Sequence, residues 1–184
     1  MQIWRADRDG ANLTQLTKAG DNEEPTVTPD GRSVVYSSTR DGLSTLWQVS
    51  IEGGEPTQIT TDFASWPAVS PDGRFVAYAD GKPLVSVYNG ISVISREDGR
   101  RVKFFTVPPS AVLYNRLAWT PDQAAILYKD DLQGLWQQEL SGGNPQPLIG
   151  AEDFRFTHFN FSGRNIIYSG GTTKRDIVLF DARR

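Results

Sequence analysis

The chain has no cysteine, one histidine (His158) and one methionine among its 184 residues. Without cysteine there are no disulfide staples, no thiolate metal ligands and no cysteine nucleophile. A single histidine excludes a histidine-cluster metal site. A histidine-based triad also needs a nucleophile elbow, and no Gly-x-Ser-x-Gly occurs. Positive charge is not in excess. The 19 Lys+Arg face 22 Asp+Glu, a formal net charge of −3, so bulk electrostatics offers no reason to expect a nucleic-acid partner. No apolar run approaches the roughly 18 residues of a membrane helix. The stretch Met1 to Gly10 is charged early and lacks the apolar core of a signal peptide. No window combines helix caps with a 3.6-residue period. What remains, 38% hydrophobic and 22% charged residues, suits a folded globular chain.

The sequence does have a cadence. Trp4, Trp47 and Trp136 each follow an aliphatic residue, Ile3, Leu46 and Leu135. Ile91-Ser92-Val93-Ile94 takes the place between the last two, and Ile177-Val178-Leu179-Phe180 is a final copy. The leading aliphatics are 43, 45, 44 and 42 residues apart. A second marker is Pro29-Asp30-Gly31-Arg32, then Pro71-Asp72-Gly73-Arg74, a degraded Pro121-Asp122-Gln123, and Ser162-Gly163-Arg164. Each precedes a short run ending in Tyr36, Tyr78, Tyr128 or Tyr168. A third marker is a glycine-bearing turn at Asp9-Gly10, Gly53-Gly54, Asp98-Gly99 and Gly142-Gly143. Within a copy, short β-branched and aromatic runs alternate with Gly, Pro and Asp punctuation. Four short strands per forty-odd residues predict an all-β propeller of four-stranded antiparallel blades. A lone sheet cannot bury both faces, whereas stacking around an axis buries each against its neighbours.

Ser70-Pro71-Asp72-Gly73-Arg74-Phe75-Val76-Ala77-Tyr78, an Ile/Leu-Trp step, and Gly54-Glu55-Pro56-Thr57-Gln58-Ile59-Thr60 together resemble the WD40-like repeat of TolB-type propellers. The ending Thr172 to Phe180 resembles the last strand of propellers at the C-terminus of bacterial multidomain proteins. In that group an upstream kinase or winged-helix DNA-binding domain is common, which would make the chain a fragment of a transcriptional regulator or similar protein. TolB resemblance implies a periplasmic scaffold or sensory module that binds protein. Gln123 replaces the turn glycine in the third copy, and the fourth lacks the Pro and Asp, departures expected to weaken those turns and not the fold.

The expected blades are 22–60, 61–106, 107–149 and 150–181, with 3–17 as outer strands of a further or closing blade. Leu13 to Thr17 would let a four-bladed ring close. Ile3-Trp4, however, duplicates Ile177 to Phe180, which suits a partial, open propeller cut from a larger ring. Open blade faces predict self-association.

In a meander, alternate connections share a face. The short Pro-Asp-Gly and Gly-Gly turns fall on one face. The second–third loops and the crossovers, which differ from copy to copy, fall on the other, where binding is expected. Counting back from the turns puts Glu24, Trp66, Arg116 and His158 at one equivalent position at the start of the innermost strand. This predicts a rim around the channel mouth that docks a peptide or a protein loop, Trp and Arg being favoured anchor residues.

No catalytic, metal or cofactor site is expected. Asp30, Asp72 and Asp122 recur at one turn, which indicates turn chemistry, since a catalytic group is needed once. Asp130-Asp131 and Glu152-Asp153 lie on the variable face, without an alternating Asp-x-Asp loop. Two enzymatic alternatives are a propeller gate of a prolyl-oligopeptidase-like serine peptidase and a carboxylate-based hydrolase acting on sugars. Arg96, Arg100, Arg101 and Lys103 read as a solvated hairpin, and the tryptophans as packing within or between blades. Phe154 and Phe156 lie in a crossover, as an exposed patch or as packing for a missing neighbour.

Overall fold

The computed structural model describes residues 1–81, 88–108, 111–113, 117–130, 134–149, 155–162 and 165–171; for 155–162 and 165–171 it describes the backbone and the Ile166 side chain. The described residues contain no α-helix. The strands are β1 (Trp4–Arg5), β2 (Thr14–Gln15), β3 (Asn22–Val27), β4 (Ser33–Ser38), β5 (Thr45–Ser50) and β6 (Thr57–Gln58). They continue with β7 (Ala64–Val69), β8 (Phe75–Gly81), β9 (Tyr88–Ser95), β10 (Arg101–Thr106), β11 (Ala111–Val112) and β12 (Ala118–Trp119). The last are β13 (Ala125–Asp130), β14 (Gly134–Glu139), β15 (Gln146–Ile149), β16 (Arg155–Ser162) and β17 (Asn165–Gly171).

Strands β3 to β6 form one antiparallel meander and β7 to β10 a second. In a third, the first strand is split into β11 and β12, both pairing with β13, and β14 and β15 follow. The pairs β1–β2 and β16–β17 stand at the two ends. First strands pack on one another across sheets, β3 on β7 and β7 on β12. They converge on a hub, so the fold is a partial β-propeller.

Period-two alternation decides which neighbour each residue meets. Tyr36, Trp47, Val34 and Val49 of the first complete sheet bury against Ile3 and Leu16 of the preceding pair. Val35 and Leu46 face the other way, onto Val76, Tyr78 and Ile94 of the next sheet. Ala77, Ile91 and Val93 in turn meet Ile126, Tyr128 and Trp119 of the third sheet. Leu127 and Leu135 face onward, toward Ile166. Tyr36, Tyr78 and Tyr128 thus each pack on the sheet before their own. Fully burying such a side chain stabilises by roughly 1.5–3 kcal/mol, and no sheet could gain that alone.

Turn chemistry repeats as closely as packing. Thr28 Oγ1 donates to Asp30 Oδ1 at 2.6 Å and accepts the Ser33 amide at 3.0 Å, while the Arg32 amide donates to Asp30 Oδ1 at 3.0 Å. Ser70 with Asp72 and Thr120 with Asp122 build the same set. The Thr28 and Thr120 hydroxyls, seconded by the backbone amides, hold Asp30 and Asp122 below the usual carboxylate range. At Asp72 burial works upward, but the Ser70 hydroxyl, the Arg74 amide and the Arg74 guanidinium together outweigh it.

Two residues depart from expectation. Gln123 does not loosen its turn: it takes φ 61°, close to Gly31 (70°) and Gly73 (74°), and the hydrogen bonds around Asp122 survive. Trp4 is not packed like its counterparts. It is 51% exposed, against 8% for Trp47. The basic hairpin is also less solvated than it reads. Arg96 reaches Gly73 O at 2.7 Å and Gln48 Oε1 of the preceding sheet at 2.8 Å, and Arg101 pairs with Asp80 at 2.9 Å.

Candidate functional site at the hub

Strands β3 and β7 carry the same irregularity. Glu23 pairs with Ser37 and Thr26 with Val35, so one extra residue sits on β3; Ser65–Ala79 and Ala68–Ala77 repeat this on β7. The local sequences are Glu24-Pro25 and Trp66-Pro67. Proline has no amide to give the ladder, so a bulge there loses no hydrogen bond. The preceding residue is turned into the left-handed region, with φ 57° at both Glu24 and Trp66. Such a φ is rare for a bulky side chain and stores strain.

The two bulges are tied together. Glu24 Oε2 accepts the Trp66 backbone amide at 2.5 Å and the Ser37 hydroxyl at 2.6 Å. The carboxylate of one sheet thereby satisfies an amide that the bulge of the next displaces from its ladder. Burial pushes the Glu24 carboxyl above its ordinary value; these two hydrogen bonds oppose the shift, and neighbouring Glu23 adds to it. The Trp66 indole donates to the Tyr88 hydroxyl at 3.2 Å. Trp119 of the third sheet donates to Ala68 O at 2.8 Å. Three sheets are stitched together where their first strands meet.

Between them lies a cavity of about 420 Å³ with Glu24, Pro25, Trp66, Pro67, Leu117 and Trp119 in its wall. That volume is in the range of small-ligand and side-chain pockets. One carboxylate, two indoles and three prolines (Pro25, Pro67 and Pro71) make a wall that is mostly apolar with an acidic point.

Of the four residues expected at one position, Glu24 and Trp66 come together as described. Arg116 lies outside the described residues. His158 lies on β16, opposite Ser169, and its side chain is outside the description. Ser169 follows Tyr168 as Ser37 follows Tyr36 and Ala79 follows Tyr78, and those residues oppose Glu23 and Ser65. Strand pairing therefore sets His158 one step from the Glu24 and Trp66 place. Counted from the hairpin, His158 precedes Phe161 by the three residues that separate Glu24 from Val27, and Phe161 pairs with Ile166 as Val27 pairs with Val34; the register shift on β16 falls earlier, between Phe156 and His158, and this separates the two placements. Asp131, Glu152, Asp153 and Phe154, and the side chains of Asp130 and Phe156, are outside the description. Pro25, Pro67, Leu117 and Trp119 were not singled out as site residues. The signal available for two of them was a proline at the same step of two copies. Among the described residues, no three His, Cys, Asp or Glu side chains lie close enough to share a metal ion.

Meandering sheets with first strands on a hub and a Ser/Thr-Pro-Asp turn in three of the copies define a β-propeller. The likeness to TolB-type propellers holds in both sequence and fold. The chain is 38% identical over 47 residues to the Tol-Pal system protein TolB of Bordetella pertussis, a match spanning 25% of this chain and 11% of that protein. A solved structure assigned as TolB from Agrobacterium tumefaciens superimposes with a TM-score of 0.72 at 16% identity, over 93% of this chain and 63% of its own. An oligogalacturonate lyase in complex with manganese superimposes with a TM-score of 0.73 at 14% identity, over 93% of this chain and 53% of its own. No family model matches the chain.

Proposed function

We propose that this chain is a non-catalytic binding module, a propeller scaffold that takes a peptide or protein loop of a partner at the mouth of its hub cavity. The observation that carries this reading is the Glu24–Trp66 pair. Two residues held at left-handed φ on consecutive sheets line a cavity together with Trp119 and proline. Rigid aromatic and proline surfaces lose little entropy on binding, and indoles in desolvated pockets are frequent anchors of protein contacts. Arg116 and His158 extend the rim on this reading. By name, the matched Bordetella protein works in a Tol-Pal system, and a protein partner for this chain is in keeping with that.

The lyase of similar fold keeps an enzymatic reading in view. Against it stands the use to which carboxylates are put here. Asp30, Asp72 and Asp122 are held in turn hydrogen bonds, and both described bonds to Glu24 serve the scaffold. The test is selection of peptides from a displayed library on the intact chain, followed by calorimetry. Because Glu24 bonds the Trp66 backbone and not its indole, Trp66→Ala leaves the stitch in place. It is expected to weaken selected peptides at least tenfold, as is Arg116→Ala for those that reach the rim. Peptides bound equally by wild type and both variants would place the binding face elsewhere.

A further inference from the structure

A second cavity, of about 350 Å³, opens between the end pair β1–β2 and the first complete sheet. We propose that it binds the carboxylate of a small organic acid, with the Arg40 guanidinium and the Tyr36 hydroxyl as the donors. It shares no lining residue with the hub cavity, so this site is independent of the peptide-binding reading.

Two short segments make the walls. Thr14 to Ala19 comes from β2 and the chain just after it, and Glu52 to Pro56 from the stretch before β6. Tyr36 of β4 and Arg40 of the loop that follows complete the lining. Tyr36 is 0% exposed, yet its hydroxyl makes no hydrogen bond among the described residues. A buried phenol normally finds a partner, and here the tyrosine borders a cavity that can supply one. Burial pushes the Tyr36 hydroxyl up to about 12 against the opposing pull of the Arg40 charge, so it remains a donor at neutral pH. Arg40 is half-buried, with its guanidinium 4.5 Å from the centroid of the Trp47 ring. Its side-chain N–H groups have no hydrogen-bond or ion-pair partner among the described residues. A guanidinium over an indole keeps its N–H edge for a carboxylate, which matches it bidentately.

The fork is held in place before any ligand arrives. Gly20, at φ 74°, approaches the Arg40 backbone so closely that a β-carbon on it would sit 2.6 Å from the Arg40 Cα. The Thr39 amide donates to Asp21 O at 3.0 Å and the Arg40 amide to Ser38 Oγ at 3.3 Å. The Trp47 indole is fixed in turn by its bond to Thr45 Oγ1 at 2.9 Å. Preorganisation of this kind lowers the entropy that a ligand must offset. The arrangement belongs to one copy. Tyr78 stands opposite Ser92 where Tyr36 stands opposite Trp47, and the residue four places after Tyr128 is Leu132. A feature that the scaffold required would recur with the sheet, as the Ser/Thr-Asp turns do. Charge then narrows the ligand. Glu52 is occupied by Arg5 at 2.9 Å. Lys18 and Glu55 line the wall without ion pairs among the described residues. Lys18 and Arg40 against Glu55 leave one positive charge, the complement of a monocarboxylate, whereas a dianionic phosphate would meet stronger repulsion from Glu55. Leu16, Pro56 and the tyrosine ring offer packing for an apolar body.

The test is a titration of the full chain with benzoate, followed by NMR at the side-chain N–H resonances of Trp47 and Arg40. Benzamide, a neutral isostere, and phenyl phosphate are the comparison probes. Saturable shifts of both resonances are expected with benzoate, and binding about tenfold weaker with either comparison probe. Arg40→Gln is expected to weaken benzoate about tenfold or more, and Tyr36→Phe, which keeps the ring, about threefold. Trp66→Ala, at the hub, is expected to leave the titration unchanged. Should Arg40→Gln fail to fold, Tyr36→Phe and the benzamide comparison on the unmodified chain decide. The proposal is overturned if benzoate shifts neither resonance, if benzamide binds equally well, or if phenyl phosphate binds more tightly. An affinity for benzoate that Arg40→Gln and Tyr36→Phe leave intact, or that Trp66→Ala abolishes, overturns it as well.

Discussion

Trp4 and Trp47 hold the same place in the repeat and have opposite surroundings. Both oppose a glutamine on the outermost strand. Trp47 lies under Ile3 and Leu16, bonds Thr45 Oγ1 through its indole at 2.9 Å, and has the Arg40 guanidinium 4.5 Å above its ring. Trp4 has no such cover. Strands β3 and β7 differ in the same sense: the bulge is shared, yet Glu23 and Pro25 are exposed where Ser65 and Pro67 are buried, and Val27 is exposed where Val69 is half-buried. The difference comes from the preceding sheet. Behind β7 stand the first strand and flank of a complete sheet; behind β3 stands only an outer pair. A residue's position in the repeat sets the direction it faces, and the neighbouring sheet sets how much that direction is worth.

The sharpest way to break this comparison is to truncate both indoles. Trp47→Ala is expected to cost about 3–5 kcal/mol. Trp4→Ala, measured by denaturant titration, is expected to stay within about 0.5 kcal/mol. Similar losses would mean that position in the repeat, not the neighbour, decides burial. The turns permit a finer comparison between an intact and a degraded copy. Ser70→Ala removes the hydroxyl that accepts the Phe75 amide and should cost about 1 kcal/mol. Gln123→Gly relieves a left-handed side chain and should gain about 1 kcal/mol; Gly31→Gln should lose a similar amount.

The smallest effects are those of pH, and the two classes of carboxylate should differ in sign. Asp30, Asp72, Asp98 and Asp122 have carboxyls lowered below the ordinary aspartate value of 3.8. Their contribution is complete above that value and is lost as pH falls through it toward their native values. Glu24 is raised above 4.5. Its charge costs stability at neutral pH, and the cost is relieved as pH falls through its native value. Replacing Asp30 or Asp122 with Ala should therefore flatten the acid limb of the stability curve. Glu24→Gln should raise stability near neutrality relative to pH 4.5, the ordinary glutamate value. Wild type and Glu24→Gln with the same dependence from pH 4.5 upward would show that burial does not shift this carboxylate.

Much of the fold was legible because each copy carries its own rulers. Pro-Asp-Gly, the tyrosine and the Trp step recur in order, and together they mark the strands, the turns and the side of the sheet each residue faces. Glu24 and Trp66 could be matched because Pro29 and Pro71 follow both at the same distance. His158 could not be placed in this way, since the register shift of its strand falls before it, between Phe156 and His158, and no turn residue reports that. The left-handed bulges were also hidden. Glu24-Pro25 and Trp66-Pro67 announce a missing ladder amide, but the tie between them depends on sheets 42 residues apart in sequence. The exposure of Trp4 was not legible, because periodicity reports direction and not whether anything stands there.

The central claim is that each sheet is stabilised through a defined face by a defined neighbour. A double-mutant cycle tests it directly. Val76 and Val93 belong to the same sheet, but Val76 shares a cluster with Leu46 of the preceding sheet and Val93 faces the next. The account predicts a coupling on the order of 0.5–3 kcal/mol between Leu46→Ala and Val76→Ala, and additivity within about 0.5 kcal/mol between Leu46→Ala and Val93→Ala. Equal coupling in the two cycles, or additivity in both, would contradict it.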